Sequence, residues 1–140
     1  MKGSAMKKSI LLAAMLVGTA HAAPGPQVEK AIGEGAKLFS HESFGGKRTC
    51  DACHLNGGKG AGKLPNGQEI PSLENAGAIF PRYNQRAKKI FTLEDQVRSC
   101  IHGGLQGNPP PAGDEKVIDL LSYVTSLSEG KPVEMDGKPR

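Results

Sequence analysis

In Cys50-Asp51-Ala52-Cys53-His54, residue type and spacing together dictate a chemistry. Two thiols separated by two residues can each form a thioether, and the residue that follows brings an imidazole beneath a flat ring, which is the attachment pattern of c-type haem. The same cysteines could instead close a disulfide or supply half of a zinc site. Zinc needs a second ligand pair, and Cys100 with His102 offers one of unusual spacing. A redox-active dithiol belongs beside a βαβ pattern, and the sequence shows none. The residues therefore point to one covalent haem c anchored on Cys50 and Cys53, with His54 as the proximal iron ligand.

The iron's sixth position is less directly encoded. No methionine lies between His54 and Tyr123, and Met135, the only one further on, sits in a polar tail. Cys100 and His102 are the main options, with His41, Met135 or an open position behind them. Residues two apart on a helix face different ways, and Cys100 falls on the face of Leu93, Val97 and Ile101. With Cys50 and Cys53 used by the haem, Cys100 is also an odd cysteine, which asks for a role as ligand, reactive thiol or intermolecular disulfide. A buried thiol acting only as a small hydrophobe is the bland alternative. The pattern favours Cys100 over His102. A thiolate donor stabilises ferric iron and implies a low reduction potential, and its loss on reduction would open a site for NO or CO.

Three helices are expected to position these groups. Gln27 to Ser40 carries Val28, Ile32, Leu38 and Phe39 at near-helical spacing, with Gly33 and Gly35 where another helix could approach. Thr92-Leu93-Glu94-Asp95 has the form of a capping box opening a second helix, which Gly103-Gly104 should end. Asp114 opens a third, striped by Val117, Leu120, Leu121, Val124 and Leu127 and stopped at Gly130 and Pro132. Between the first two, Gly57, Gly58, Gly60 and Gly62 mark an irregular segment to about Pro71, suited to wrapping a flat cofactor. The tail from Glu134 to Arg140 reads as mobile.

Residues 1–22 read as a cleaved export signal: Lys2, Lys7 and Lys8, an apolar run from Ile10 to Val17, and Ala20-His21-Ala22 as a cleavage site. The run is shorter than the roughly 20 residues that span a bilayer. Residues 23–140 then form one domain, periplasmic and with no membrane span. Without the three signal lysines the formal charge falls from +4 to about +1, and haem propionates lower it further, so the basic composition does not argue for a nucleic-acid partner. With 19 glycines, 10 prolines and no tryptophan among 140 residues, the chain has little core of its own, and a buried haem would supply much of it.

A helix leading into the motif, a glycine-rich loop behind it and a final helix bearing Tyr123 resemble the class I cytochromes c. The resemblance implies an all-α fold of three main helices around one covalently bound haem. It also implies a crossing of the first and last helices at Gly33 or Gly35 against Tyr123, and a proline carbonyl, Pro71 or secondly Pro65, holding the proximal imidazole. More narrowly, Phe80-Pro81-Arg82-Tyr83, Thr92 to Cys100, Leu121-Ser122-Tyr123 and Leu127-Ser128-Glu129-Gly130 resemble the haem domains of SoxA-type cytochromes and thiosulfate dehydrogenases. In those proteins the cysteine at this place binds iron. The length is also similar to the single-haem subunits of NaxLS-type heterodimeric cytochromes, with His/Cys coordination.

Two functions follow from these resemblances. The first is a non-enzymatic, low-potential electron carrier or diatomic-gas-binding subunit, paired with a second small cytochrome. The alternative is the haem subunit of an enzyme oxidising thiosulfate or another sulfur compound, with Arg82, Arg86 or Arg98 holding the anion. The reading favours the first, because a lone haem accepts one electron while joining two thiosulfates releases two. Arginines near a haem can equally pair with its propionates, and Arg86, Lys88 and Lys89 read as solvated surface rather than a docking patch.

Overall fold

The computed structural model describes residues 22–64 and 66–140. The export signal expected over residues 1–22 lies outside them except for Ala22, and so does Pro65. Four helices run in chain order, α1 (Pro26–His41), α2 (Ala76–Ile79), α3 (Leu93–Gly103) and α4 (Glu115–Ser126). Two antiparallel hairpins separate them, β1 (Gly62–Lys63) with β2 (Glu69–Ile70), and β3 (Arg82–Asn84) with β4 (Lys89–Phe91).

The first two expected helices are present within a residue of their expected ends and the third ends at Ser126, short of the expected stop at Gly130, whereas α2 and the hairpins correct the purely helical expectation. Each hairpin is closed by an asparagine that folds its own turn. Asn66 accepts from the Gln68 amide at 3.0 Å, and Asn84 accepts from the amides of Arg86 and Ala87 at 3.0 and 2.9 Å.

α1 and α4 cross at Gly35. A Cβ on Gly35 would run into the Asp119 carbonyl and stand 2.8 Å from the Tyr123 Cβ, whereas Gly33 faces open space. Of the two glycines weighed for this crossing, Gly35 therefore makes it. Around it Phe39, Ile101, Leu105, Leu120 and Val124 share one buried cluster. Val28, expected on the apolar stripe of α1, is exposed.

α3 begins as its sequence dictates. Thr92 Oγ1 accepts from the Asp95 amide at 3.1 Å, and Asp95 Oδ2 accepts from the Thr92 amide at 2.9 Å, which satisfies two otherwise free donors. This cap fixes the phase of the face that carries Leu93, Val97 and Cys100.

The C-terminal tail is not loose. The amides of Glu134 and Asp136 donate to the carbonyls of Ala78 and Ile79. Buried Asn75 donates to the Lys138 carbonyl at 2.9 Å and accepts from the Arg140 amide at 3.2 Å, while Ser72 donates to the Arg140 carbonyl at 2.9 Å. Among the described residues no helix is long and apolar enough to cross a membrane.

Candidate haem site

The Cys50–His54 motif forms a turn held from three sides. The amides of Cys53 and His54 donate to the Cys50 carbonyl at 3.2 and 3.0 Å, and the Asp51 amide reaches the Phe39 carbonyl at the end of α1. Ahead of the motif, the Lys47 amide and the Arg48 guanidinium donate to the carbonyls of Leu105 and Gly104, tying the turn to the end of α3. Behind it, Gly62 packs so close to the Cys53 carbonyl that no Cβ would fit. The glycine-rich loop thus returns directly beneath the motif, which is the close approach that glycine permits.

That return delivers Pro71 to His54. The Gly58 carbonyl accepts from the Leu73 amide at 2.6 Å, and the Pro71 carbonyl lies 3.2 Å from His54 Nδ1. A carbonyl only accepts, so Nδ1 carries the proton and Nε2 keeps its lone pair. Burial lowers the His54 pKa below its ordinary value of 6.5, which favours the neutral, metal-ligating ring. Phe39 stands against this histidine at a centroid distance of 6.4 Å and takes the Tyr123 ring edge-on at 5.3 Å. The Tyr123 hydroxyl donates to the Gly57 carbonyl at 2.7 Å, joining α4 to the loop after the motif.

Cys50, Cys53 and His54 line a cavity of about 370 Å³, and α3 contributes Leu93, Val97 and Cys100 to the same space. Ile79 and Phe80, with Leu120 and Val124 of α4, make the lining strongly apolar. All three cysteines are free thiols. Burial pushes the Cys50 thiol up to about 12, with smaller contributions from Cys100, Asp51 and Cys53. Burial also raises the Cys100 thiol, against the opposing effect of a hydrogen bond from Gln96. That burial favours the neutral thiol, and a bound metal ion is what would hold Cys100 as thiolate.

The alternatives for the sixth position separate cleanly. His102 is exposed and does not line the cavity; His41 is exposed, with Nδ1 3.1 Å from the Lys37 carbonyl; and Met135 is 67% exposed. Of the three arginines considered for an anion, only Arg82 lines the cavity. Arg98 donates instead to the Pro110 carbonyl at 3.0 Å, and Arg86 is exposed beyond the β3 strand. Gln96, whose Nε2 donates to Cys100 Sγ at 3.3 Å, is the residue that sequence reasoning missed. Its place four residues before Cys100, on an otherwise apolar face, was the available signal.

This donor set fits a haem better than a bare ion. Among the described residues no three His, Cys, Asp or Glu side chains gather as a zinc site requires. A haem brings four nitrogens of its own and asks the protein for two free thiols, an oriented imidazole and an apolar slot, and the cavity offers all of these.

Comparison with known proteins agrees. Residues 34–133 match the family model described as SoxA/TsdA, cytochrome c domain. The thiosulfate dehydrogenase of Thiomonas intermedia is 30% identical over 96 residues, covering 69% of this chain and 28% of that protein. The L-cysteine S-thiosulfotransferase subunit SoxA of Pseudaminobacter salicylatoxidans is 26% identical over 106 residues, covering 76% and 33%. The chain thus spans about a third of these relatives' lengths. Among solved structures, the thiosulfate dehydrogenase TsdBA of Marichromatium purpuratum superposes with a TM-score of 0.65 at 22% identity, covering 85% of this chain and 28% of that one. SoxXA of P. pantotrophus superposes with a TM-score of 0.59 at 18% identity, covering 79% and 37%. These two likenesses establish a shared cytochrome c domain fold. The chain belongs to the SoxA/TsdA cytochrome c domain family, and its cofactor is covalently bound haem c.

Proposed function

We propose that this chain is the haem-carrying unit of a periplasmic system that oxidises thiosulfate or a related sulfur compound. In this reading Cys50 and Cys53 anchor a single haem through thioethers, His54 is the proximal iron ligand and Cys100 the distal one. The observation that carries it is the position of Cys100. Of the four side chains weighed for the distal place, it alone lines the cavity of His54. Bound there, the haem supplies a one-electron change at iron. The protein's own part is to present an Nε2 lone pair fixed by Pro71, a sulfur fixed by the face of α3, and walls that exclude water.

The sulfur substrate follows from the family and from Arg82, a cation at the cavity wall that can attract a small dianion. Joining two thiosulfates through a new sulfur–sulfur bond releases two electrons, and one haem accepts one. The reading therefore includes a partner with a second redox centre to take the other electron. The residues around Ala22, with the lysines and apolar run ahead of them, support export to the periplasm.

A second reading, the low-potential carrier or NO/CO-binding subunit with no sulfur substrate, is favoured by one observation. Arg98 is turned to the Pro110 carbonyl and Arg86 lies exposed outside the cavity, leaving Arg82 as the lone arginine at it. Anaerobic addition of thiosulfate to the oxidised holoprotein, alone and with an added cytochrome as acceptor, separates the two. Haem reduction that disappears in Cys100→Ala is the result expected. A haem that stays oxidised with and without the acceptor, in a protein whose reduced form takes up CO, overturns the sulfur reading in favour of the carrier.

A further inference from the structure

Gln96 is a polar side chain on the face of α3 that is otherwise given to Leu93, Val97 and Cys100, and it lines the cavity with them. An amide in an apolar wall is costly unless it is hydrogen-bonded, and the partner that Gln96 finds is the sulfur of Cys100, at 3.3 Å from Nε2. The two residues are four apart in one helix, so the contact is fixed by α3 itself and by the Thr92–Asp95 cap that sets its start. A thiol can answer an amide in either direction. A thiolate can only accept, so the Nε2–H donor is matched to the anionic state of Cys100.

We propose that Gln96 is a positioning residue for the distal sulfur: its amide donates to the Cys100 thiolate, orients it toward the haem and moderates its donation to iron. The inference rests on Cys100 being the distal ligand. Its physical content is a sign. A hydrogen bond to a coordinating sulfur withdraws charge from it, so the sulfur stabilises ferric iron less and the reduction potential is higher than an unshielded thiolate would give. Removing the donor lowers the potential. Placing a carboxylate there removes the donor and adds negative charge beside the iron, which favours the ferric state and lowers the potential further.

The test is the midpoint potential and low-temperature EPR spectrum of the oxidised holoprotein for the parent chain, Gln96→Leu, Gln96→Glu and Cys100→Ala. Leu fills the same apolar wall without a donor; Glu keeps the shape and solubility should Leu impair folding. The result expected is a thiolate-type low-spin EPR signal in the parent, lost in Cys100→Ala and retained with altered g-values in Gln96→Leu, whose potential shifts downward. Gln96→Glu shifts in the same direction and further. A parent with the thiolate signal whose potential and g-values are unmoved by both Gln96 variants overturns the inference alone. A parent without that signal, unchanged in Cys100→Ala, overturns the distal ligand and the role of Gln96 together.

Discussion

The Nδ1 of His54 lies 3.2 Å from the carbonyl oxygen of Pro71, seventeen residues further along the chain. One backbone acceptor thereby decides which ring nitrogen keeps a proton and which keeps its lone pair. Donation from Nδ1 also makes the ring a stronger base toward metal. Because Pro71 holds its own backbone stiffly, Pro71→Gly is expected to loosen the acceptor and weaken that donation. The midpoint potential of the holoprotein then rises, by less than in Cys100→Ala, where the proposed ligation loses a whole anionic ligand. Paired redox titrations check this, and a potential unchanged or lowered in Pro71→Gly contradicts it.

The crossing of α1 and α4 makes opposite predictions for two glycines one turn apart or less. Gly35→Ala drives a methyl into the Asp119 carbonyl and the Tyr123 Cβ, so the helices must separate; overpacking of this kind costs about 3 kcal/mol. Gly33→Ala meets nothing within 4 Å and gains helix propensity, raising stability by up to about 1 kcal/mol. Urea denaturation of the two variants beside the parent gives the comparison, and equal midpoints for both would remove Gly35 as the crossing point.

Thr92→Ala removes one half of the cap on α3 and is expected to cost about 1 kcal/mol. The other half is pH-sensitive. Hydrogen bonds from the Thr92 amide and hydroxyl hold the Asp95 carboxyl below its ordinary value of 3.8. The folded state therefore binds this proton less readily than the unfolded chain. Its contribution is complete above about pH 4 and is lost as pH falls through the lowered value. The carboxyl is largely open to solvent, so the effect is small. Acid titration of stability should show this loss in the parent and not in Asp95→Asn; parallel acid limbs would refute the assignment.

What was legible in the sequence is what short-range chemistry encodes. The motif, the Thr92–Asp95 cap and the phase that puts Cys100 with Leu93 and Val97 each depend on residues within a few positions of one another. The Pro71 acceptor and the glycine crossing came from a family resemblance, and the structure chose Pro71 and Gly35. The hairpins were missed because strands of two or three residues hold too little alternation to register, although Asn66-Gly67 is a turn signal in its own right. Gln96 was missed because a lone polar residue on an apolar face reads as noise until the side-chain geometry shows its amide turned to the Cys100 sulfur.

The tail was misread as mobile because its anchors lie more than fifty residues upstream, and it yields the last prediction. Asn75 is buried at 4% exposure and satisfies both Lys138 and Arg140, while Ser72 takes the Arg140 carbonyl. Pro139 reaches the lining of the haem cavity between these contacts. Asn75→Ala leaves the Lys138 carbonyl and the Arg140 amide without their partner, at a cost of about 1–3 kcal/mol where they stay buried. The tail can avoid that cost by detaching into water. The expected outcome is therefore faster amide exchange across residues 134–140, with the α1–α4 crossing still protected. Exchange in the tail as slow as in the parent would show that the contacts of Glu134 and Asp136 with Ala78 and Ile79 suffice to hold it.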